Sequence, residues 1–286
     1  MSTLDTARPR VWFITGCSGG LGLALATHLL DNGHSVIATA REPQTLRHLV
    51  AEHPETCRPF HLDVTDPAQV QSVVGEAATL FGRLDVVVNN AGYGLAGAFE
   101  ECTPEQIQRN FSVNLFGALD VIRAALPVLR AQKSGHLINI SAAAAISNYP
   151  GFSIYGAAKM ALEGVSESLA AELKPLGIKV TLVQPGPFRT EFISRSLEEA
   201  SGHIPDYDRT SGKFLAFLRS MDGRQAGDPA RAAEAILRVV AVDAPPLRLV
   251  LGRYANDKAR RKFAAAPQEL ATWEHLGLPT DFTSPS

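Results

Sequence analysis

Cysteine is scarce. Cys17, Cys57 and Cys102 are the only three in 286 residues, they lie far apart, and no C-x-x-C spacing occurs. That excludes a disulfide framework and a cysteine-based zinc site, and it suggests a reducing compartment such as the cytoplasm. No excess of either charge exists: 27 Lys and Arg stand against 29 Asp and Glu, a net charge of −2. There is thus no general electrostatic reason to bind nucleic acid or an anionic membrane. The basic run at 258–262 is short and reads as a solvated helix face. No apolar run approaches the roughly 20 residues a membrane helix needs, and the polar first ten residues carry no apolar core of a signal peptide. Internal repeats, low-complexity segments and linker-like shifts in composition are also missing. What remains is an ordinary globular composition, 45% hydrophobic, with enough apolar material for a sizeable core.

The order of motifs along the chain is informative. The apolar, β-rich run 11–14 is followed at once by the glycine segment 15–22 and then by a helical apolar pattern over 23–30. Strand, glycine turn and helix in that order make a site for a pyrophosphate. The glycines let the backbone come close, and the helix N-terminus offers N–H groups and a positive dipole. A second strand is expected over 35–41. A carboxylate near its end would hold a ribose 2′-hydroxyl, but Ala40 and Arg41 stand there. An Arg suits a 2′-phosphate, so NADP(H) is favoured over NAD(H). Further strands are expected at 60–62, 85–89, 136–141, 179–183 and 248–251. Between them lie helices from Asp66-Pro67 to Phe81, from Pro104 to about Ala131, over 155–173, and from Asp228-Pro229 to Val240. Residues 191–227 show no strong period, and the tail from Tyr254 reads as helical at first, then Pro-rich and polar.

This alternation predicts an α/β fold: a Rossmann-type, doubly wound, seven-stranded parallel sheet with helices on both faces, all within one domain over 1–286. Ligands of such sheets sit beyond the carboxyl ends of the strands, where Thr15, Arg41, Asp63, Asn89, Ser141 and Pro185 fall. Tyr155 and Lys159 stand four residues apart in an expected helix, so their side chains leave the same face. A Lys ammonium beside a phenol favours the phenolate and is expected to lower the Tyr pKa from about 10, which suits proton transfer near neutral pH.

Taken together, the glycine segment, Asp63-Val64, Asn89-Asn90-Ala91-Gly92, Asn114, Tyr155-x-x-x-Lys159 and Pro185-Gly186-x-x-x-Thr190 resemble the short-chain dehydrogenase/reductase family, over roughly residues 8–252. The resemblance implies Tyr155 as general acid toward a carbonyl oxygen and Lys159 on the nicotinamide ribose. It implies Asn114 as a residue that bends its helix and anchors a proton-relaying water. It also implies cofactor contacts from Gly16, Ser18, Gly20, Leu21, Gly22, Arg41, Asp63, Val64, Asn89, Ala91, Gly92, Ile140, Pro185, Gly186, Phe188 and Thr190, in addition to Tyr155 and Lys159. The segment 191–227 would cover the substrate, with 253–286 as a C-terminal extension. Phe192, Ile193, Tyr207, Phe214, Leu215, Phe217 and Leu218 are placed to line an apolar pocket, with Asn148, Tyr149 and Phe152 flanking it. The expected partners are a small carbonyl substrate and, through the helices at 104–131 and 155–173, further copies of the chain as a homodimer or homotetramer.

One position departs from the family pattern. The Ser that usually donates to the substrate oxygen stands thirteen residues before the Tyr, and that place is Ala142; Ser141 fills the preceding position. Three readings are open: Ser141 has taken over, the protein works without that donor, or the chain is an engineered inactive variant. The leading function is an NADP(H)-dependent carbonyl reductase or alcohol dehydrogenase. The alternative is a catalytically silent NADP(H)-binding regulator or sensor.

Overall fold

The computed structural model describes residues 8–282. In chain order the strands are β1 (Val11–Ile14), β2 (Ser35–Ala40), β3 (Cys57–His61), β4 (Val86–Asn89), β5 (Gly94–Ala96), β6 (Gly135–Ile140), β7 (Ile178–Pro185), β8 (Leu197–Glu199) and β9 (Arg248–Leu251). Seven of them form a parallel sheet in the order β3-β2-β1-β4-β6-β7-β9, as expected from the alternating pattern. The chain steps outward from β1 to β3, then returns to the far side of β1 with β4. That reversal opens a crevice between the carboxyl ends of β1 and β4.

The helices are α1 (Gly20–Asp31), α2 (Arg47–Glu52), α3 (Pro67–Leu80), α4 (Pro104–Phe111), α5 (Gly117–Gln132), α6 (Ala143–Ile146), α7 (Ser153–Leu173), α8 (Phe192–Arg195), α9 (Lys213–Ser220), α10 (Pro229–Val240) and α11 (Arg253–Gly277). Because side chains alternate along a strand, each central strand supplies both cores. Trp12, Ile14, Val86 and Val88 pack on one face with α1 and α10. Val11, Phe13 and Val87 pack on the other with α3 and α5. The caps read from the sequence are formed: Asp66 accepts from the N–H groups of Ala68 and Gln69 ahead of α3, and Asp228 accepts from that of Ala230 ahead of α10.

Several expectations need correction. β3 starts at Cys57, with Pro59 inside it. As the sheet's edge strand it tolerates a residue without an N–H. α11 runs on through Pro267 to Gly277, so the tail expected to be helical only at first is helical for most of its length. The segment without a clear period holds β8, which pairs with β5 in a two-stranded parallel sheet. Three-residue strands are too short to leave a periodic signal. Finally, α4, a π-turn at Ser112–Phe116 and α5 run on as a helix over Pro104–Gln132, whose length and mean hydropathy of 1.5 would suffice to cross a membrane. The sequence reading found no such segment. Half of this apolar window is buried, and Val121, Ala124, Ala125 and Leu129 pack against the sheet, so its apolarity serves the core.

Candidate active site

A cavity of about 980 Å³ opens at the carboxyl ends of the central strands. At one end lies the turn between β1 and α1. Gly16 has φ +73°, and a Cβ on it would stand 2.9 Å from Ala91 Cα. A Cβ on Gly22 would collide with the Asn90 amide and the Gly16 carbonyl. α1 starts without a side-chain cap and without a carboxylate in its first turn. Its leading N–H groups are therefore left for an anion at Gly16, Ser18, Gly19, Gly20 and Leu21, which line the cavity. Gly22 does not line it. With no room for a Cβ, it lets α1 pack close to the turn after β4.

Arg41, Asp63 and Val64 line the same cavity beyond the ends of β2 and β3. Burial alone would raise the Asp63 carboxyl. Hydrogen bonds from the Thr65 N–H (2.9 Å) and hydroxyl (2.7 Å), with Arg41 and His61 nearby, hold it below its ordinary value. Arg41 is exposed and makes no ion pair among the described residues. Ala91, Gly92, Ile140, Pro185, Gly186, Phe188 and Thr190 also line the cavity. Asn89 does not. It is buried and donates 2.8 Å to Asn139, which in turn donates to Ser166, so it ties strands to α7. Asn90 takes the place at the cavity, its amide donating 2.9 Å to the carbonyls of both Thr15 and Gly16.

Tyr155 and Lys159 lie one turn apart on α7 and both line the cavity. The Lys159 ammonium donates 2.9 Å to the Ile140 carbonyl at the end of β6. Burial lowers Lys159 to about 8 and pushes the Tyr155 phenol up. The expected depression of the Tyr155 pKa by Lys159 is therefore not what the protein groups alone produce. Burial is what shifts the phenol, upward, and it holds the group protonated at neutral pH. Asn114 sits in the π-turn between α4 and α5. It accepts from the Tyr93 N–H (3.2 Å) and donates to the carbonyls of Tyr93 (2.9 Å) and Asn110 (3.0 Å). Such turns inside helices recur at functional sites because they break the regular ladder.

Ser141 and Ala142 part company. The Ser141 hydroxyl donates 2.6 Å to the buried Glu163 carboxylate, which also accepts from Gln184 (2.7 Å). Ala142 presents its methyl group to the cavity beside Ala96, Phe152 and Tyr155. Beyond Tyr155 the cavity is aromatic. Phe152 meets Tyr155 edge-on at 5.1 Å and Phe214 at 4.9 Å, Tyr149 stacks on Phe214 at 5.1 Å, and Phe192 lies 5.9 Å from Tyr155.

Of the other residues expected there, Ile193, Phe217 and Leu218 line the cavity. Leu215 packs behind it, Tyr207 turns to Glu100, and the Asn148 side chain accepts from the Tyr149 N–H. Sequence reasoning missed Tyr254, which α11 brings to the cavity, and Arg195, whose guanidinium faces Gly19 across the cleft. Arg195 closes α8 and Tyr254 opens α11, and no local pattern marks which side chain at a helix end turns to a cavity. The uncapped helix, the glycine turn that a side chain would fill and the Arg41 cation fit a dinucleotide phosphate chain, and the Tyr–Lys pair can hold or deliver a proton.

Comparisons with known proteins agree. Residues 10–201 match the family model for short chain dehydrogenase. Oxidoreductase BOA17 of Botryotinia fuckeliana is 40% identical over 94% of this chain and 98% of its own length. A short-chain dehydrogenase structure from Streptomyces avermitilis superposes with a TM-score of 0.91 at 39% identity, covering 96% of this chain and 100% of that one. The structure of ElxO with NADP bound gives 0.70 at 27% identity, covering 85% and 96%. The chain therefore belongs to the short-chain dehydrogenase family of oxidoreductases.

Proposed function

We propose that this oxidoreductase reduces a ketone or aldehyde to an alcohol with NADPH, and runs the reverse reaction with NADP+. The observation that carries this reading is Tyr155 and Lys159 facing one cavity together with the glycine turn and Arg41. When bound, the cofactor supplies the hydride. Gly16 to Leu21 would hold its pyrophosphate, Arg41 its 2′-phosphate, Asp63 and Val64 its adenine end, and Lys159 its ribose. The buried Tyr155 phenol starts protonated, so it is ready to donate its proton to the carbonyl oxygen as that oxygen becomes alkoxide. The aromatic end keeps water from the reacting carbon and favours apolar substrates.

The direct test is NADPH consumption across a panel of ketones and aldehydes. Tight NADPH binding without turnover of any of them would favour the silent sensor instead, the reading supported by the missing hydroxyl at Ala142. Cofactor choice has its own test. Arg41→Ala should weaken NADPH binding by roughly ten-fold or more, the scale of a charge-assisted contact, and NADH binding far less. Equal losses in the two titrations would remove Arg41 from the 2′-phosphate site.

The same reading includes self-association and a cytoplasmic setting. Phe116 in the π-turn and Met160 on α7 are exposed on the two helices expected to pair, which supports a homodimer or homotetramer. Light scattering at micromolar concentration should return a multiple of the chain mass, and a monomer mass would refute the pairing. Three free, buried cysteines suit a reducing compartment.

A further inference from the structure

The basic run on α11 is not simply a solvated face. Lys258 is only 8% exposed. It lines a second hollow of about 360 Å³ with Ser147, Tyr254, Arg261, Lys262 and Ala265. Its ammonium lies 3.1 Å from the centroid of the Tyr149 ring. Burial, with repulsion from Arg261, lowers it to about 8, so it remains mostly charged at neutral pH. The ion pairs among the described residues use none of Lys258, Arg261 or Lys262. The hollow thus gathers three cations and two hydroxyls with no carboxylate among its lining residues. Burying an ammonium without an anionic partner is costly, and a ring face compensates only part of that cost.

The hollow is next to the reaction cavity. Tyr254 lines both. Tyr149 lines the cavity, carries Lys258 on its ring and stacks on Phe214. Tyr149 thus touches both the aromatic end of the cavity and Lys258, and Tyr254 is the side chain at which cavity and hollow meet. An apolar molecule with its carbonyl at Tyr155 and its body among Phe152, Phe192 and Phe214 that extends past Tyr254 would bring its far end to the hollow.

We infer that the hollow lined by Lys258, Arg261 and Lys262 binds an acidic group at the far end of the substrate, which makes the preferred substrate class an apolar ketone or aldehyde bearing a remote carboxylate or phosphate. This rests on the carbonyl-reductase reading above, and the two fail in different ways.

The test uses the full-length protein and ω-benzoylalkanoic acids of increasing chain length, each beside its methyl ester. At the length that reaches the hollow, kcat/KM for the acid should exceed that for the ester by roughly ten-fold or more, the scale of a hydrogen bond to a charged group. The preference should fade with added NaCl, as screening requires. It should fall by about ten-fold in Lys258→Met and in Arg261→Gln; the second variant changes an exposed side chain and keeps the test valid if the first fails to fold.

Equal acid and ester kinetics at every length would overturn the inference, as would a preference that both variants keep. Calorimetric titration of the NADP+-loaded protein with the same acids and esters separates the two readings. If nothing is reduced, but the acid binds more tightly than its ester and the variants lose the difference, the reductase reading falls and the anion site stands. Inorganic phosphate forms the control arm. If it stabilises the protein while acids bind no better than esters, the hollow serves a free anion and the substrate inference is overturned.

Discussion

Tyr155→Phe should lower carbonyl reduction by about 10²–10⁴-fold, the usual contribution of a positioned general acid. The substitution removes one oxygen and keeps the ring, so the edge-on contact with Phe152 and the approach to Phe192 survive. Folding and NADPH affinity should therefore change little, and the loss should fall on kcat. The sign follows from the environment. Burial disfavours the phenolate, so at neutral pH the residue is an acid waiting for a base, and the alkoxide formed at a carbonyl carbon is a much stronger base than the phenolate it replaces. Steady-state kinetics on one good carbonyl substrate, together with NADPH titration by fluorescence, decides the matter. A variant that keeps more than about a tenth of the parent kcat would remove Tyr155 from the proton-transfer step.

Ala142→Ser is expected to work in the opposite direction and raise kcat by about ten- to a thousand-fold, the range associated with one donor to a developing oxyanion. Ala142 lines the cavity in the same cluster as Tyr155, so a hydroxyl there would face the substrate oxygen. Ser141 cannot serve without giving up the Glu163 carboxylate, to which it donates at 2.6 Å. Ser141→Ala should therefore leave kcat nearly unchanged. It should instead destabilise the fold by about 1–3 kcal/mol, because it withdraws a donor from a buried carboxylate. Thermal unfolding and kcat for both variants separate these outcomes. A large loss of kcat in Ser141→Ala, with no gain in Ala142→Ser, would reverse the assignment.

The sequence by itself determined the sheet, the glycine turn and the Tyr–Lys pair. These are local: alternation of apolar runs, a glycine cluster between a strand and a helix, and two side chains one helical turn apart are all set by the period of the backbone. The caps at Asp66 and Asp228 were legible for the same reason. The tertiary structure decided what depends on neighbours distant in sequence. Asn89 and Asn90 are adjacent in a single motif, yet strand alternation turns Asn89 into the sheet toward Asn139 and leaves Asn90 at the cavity. The sequence offers Ser141 as a donor, but Glu163, 22 residues away, holds its hydroxyl. Spacing alone predicts that Lys159 lowers the Tyr155 pKa, but desolvation comes from everything packed around the phenol and raises it. Lys258 looked solvated because charge runs on helices are usually exposed. Only the packing of α11 over Ser147 and Tyr149 buried it, since burial depends on which surfaces meet and no local pattern encodes that.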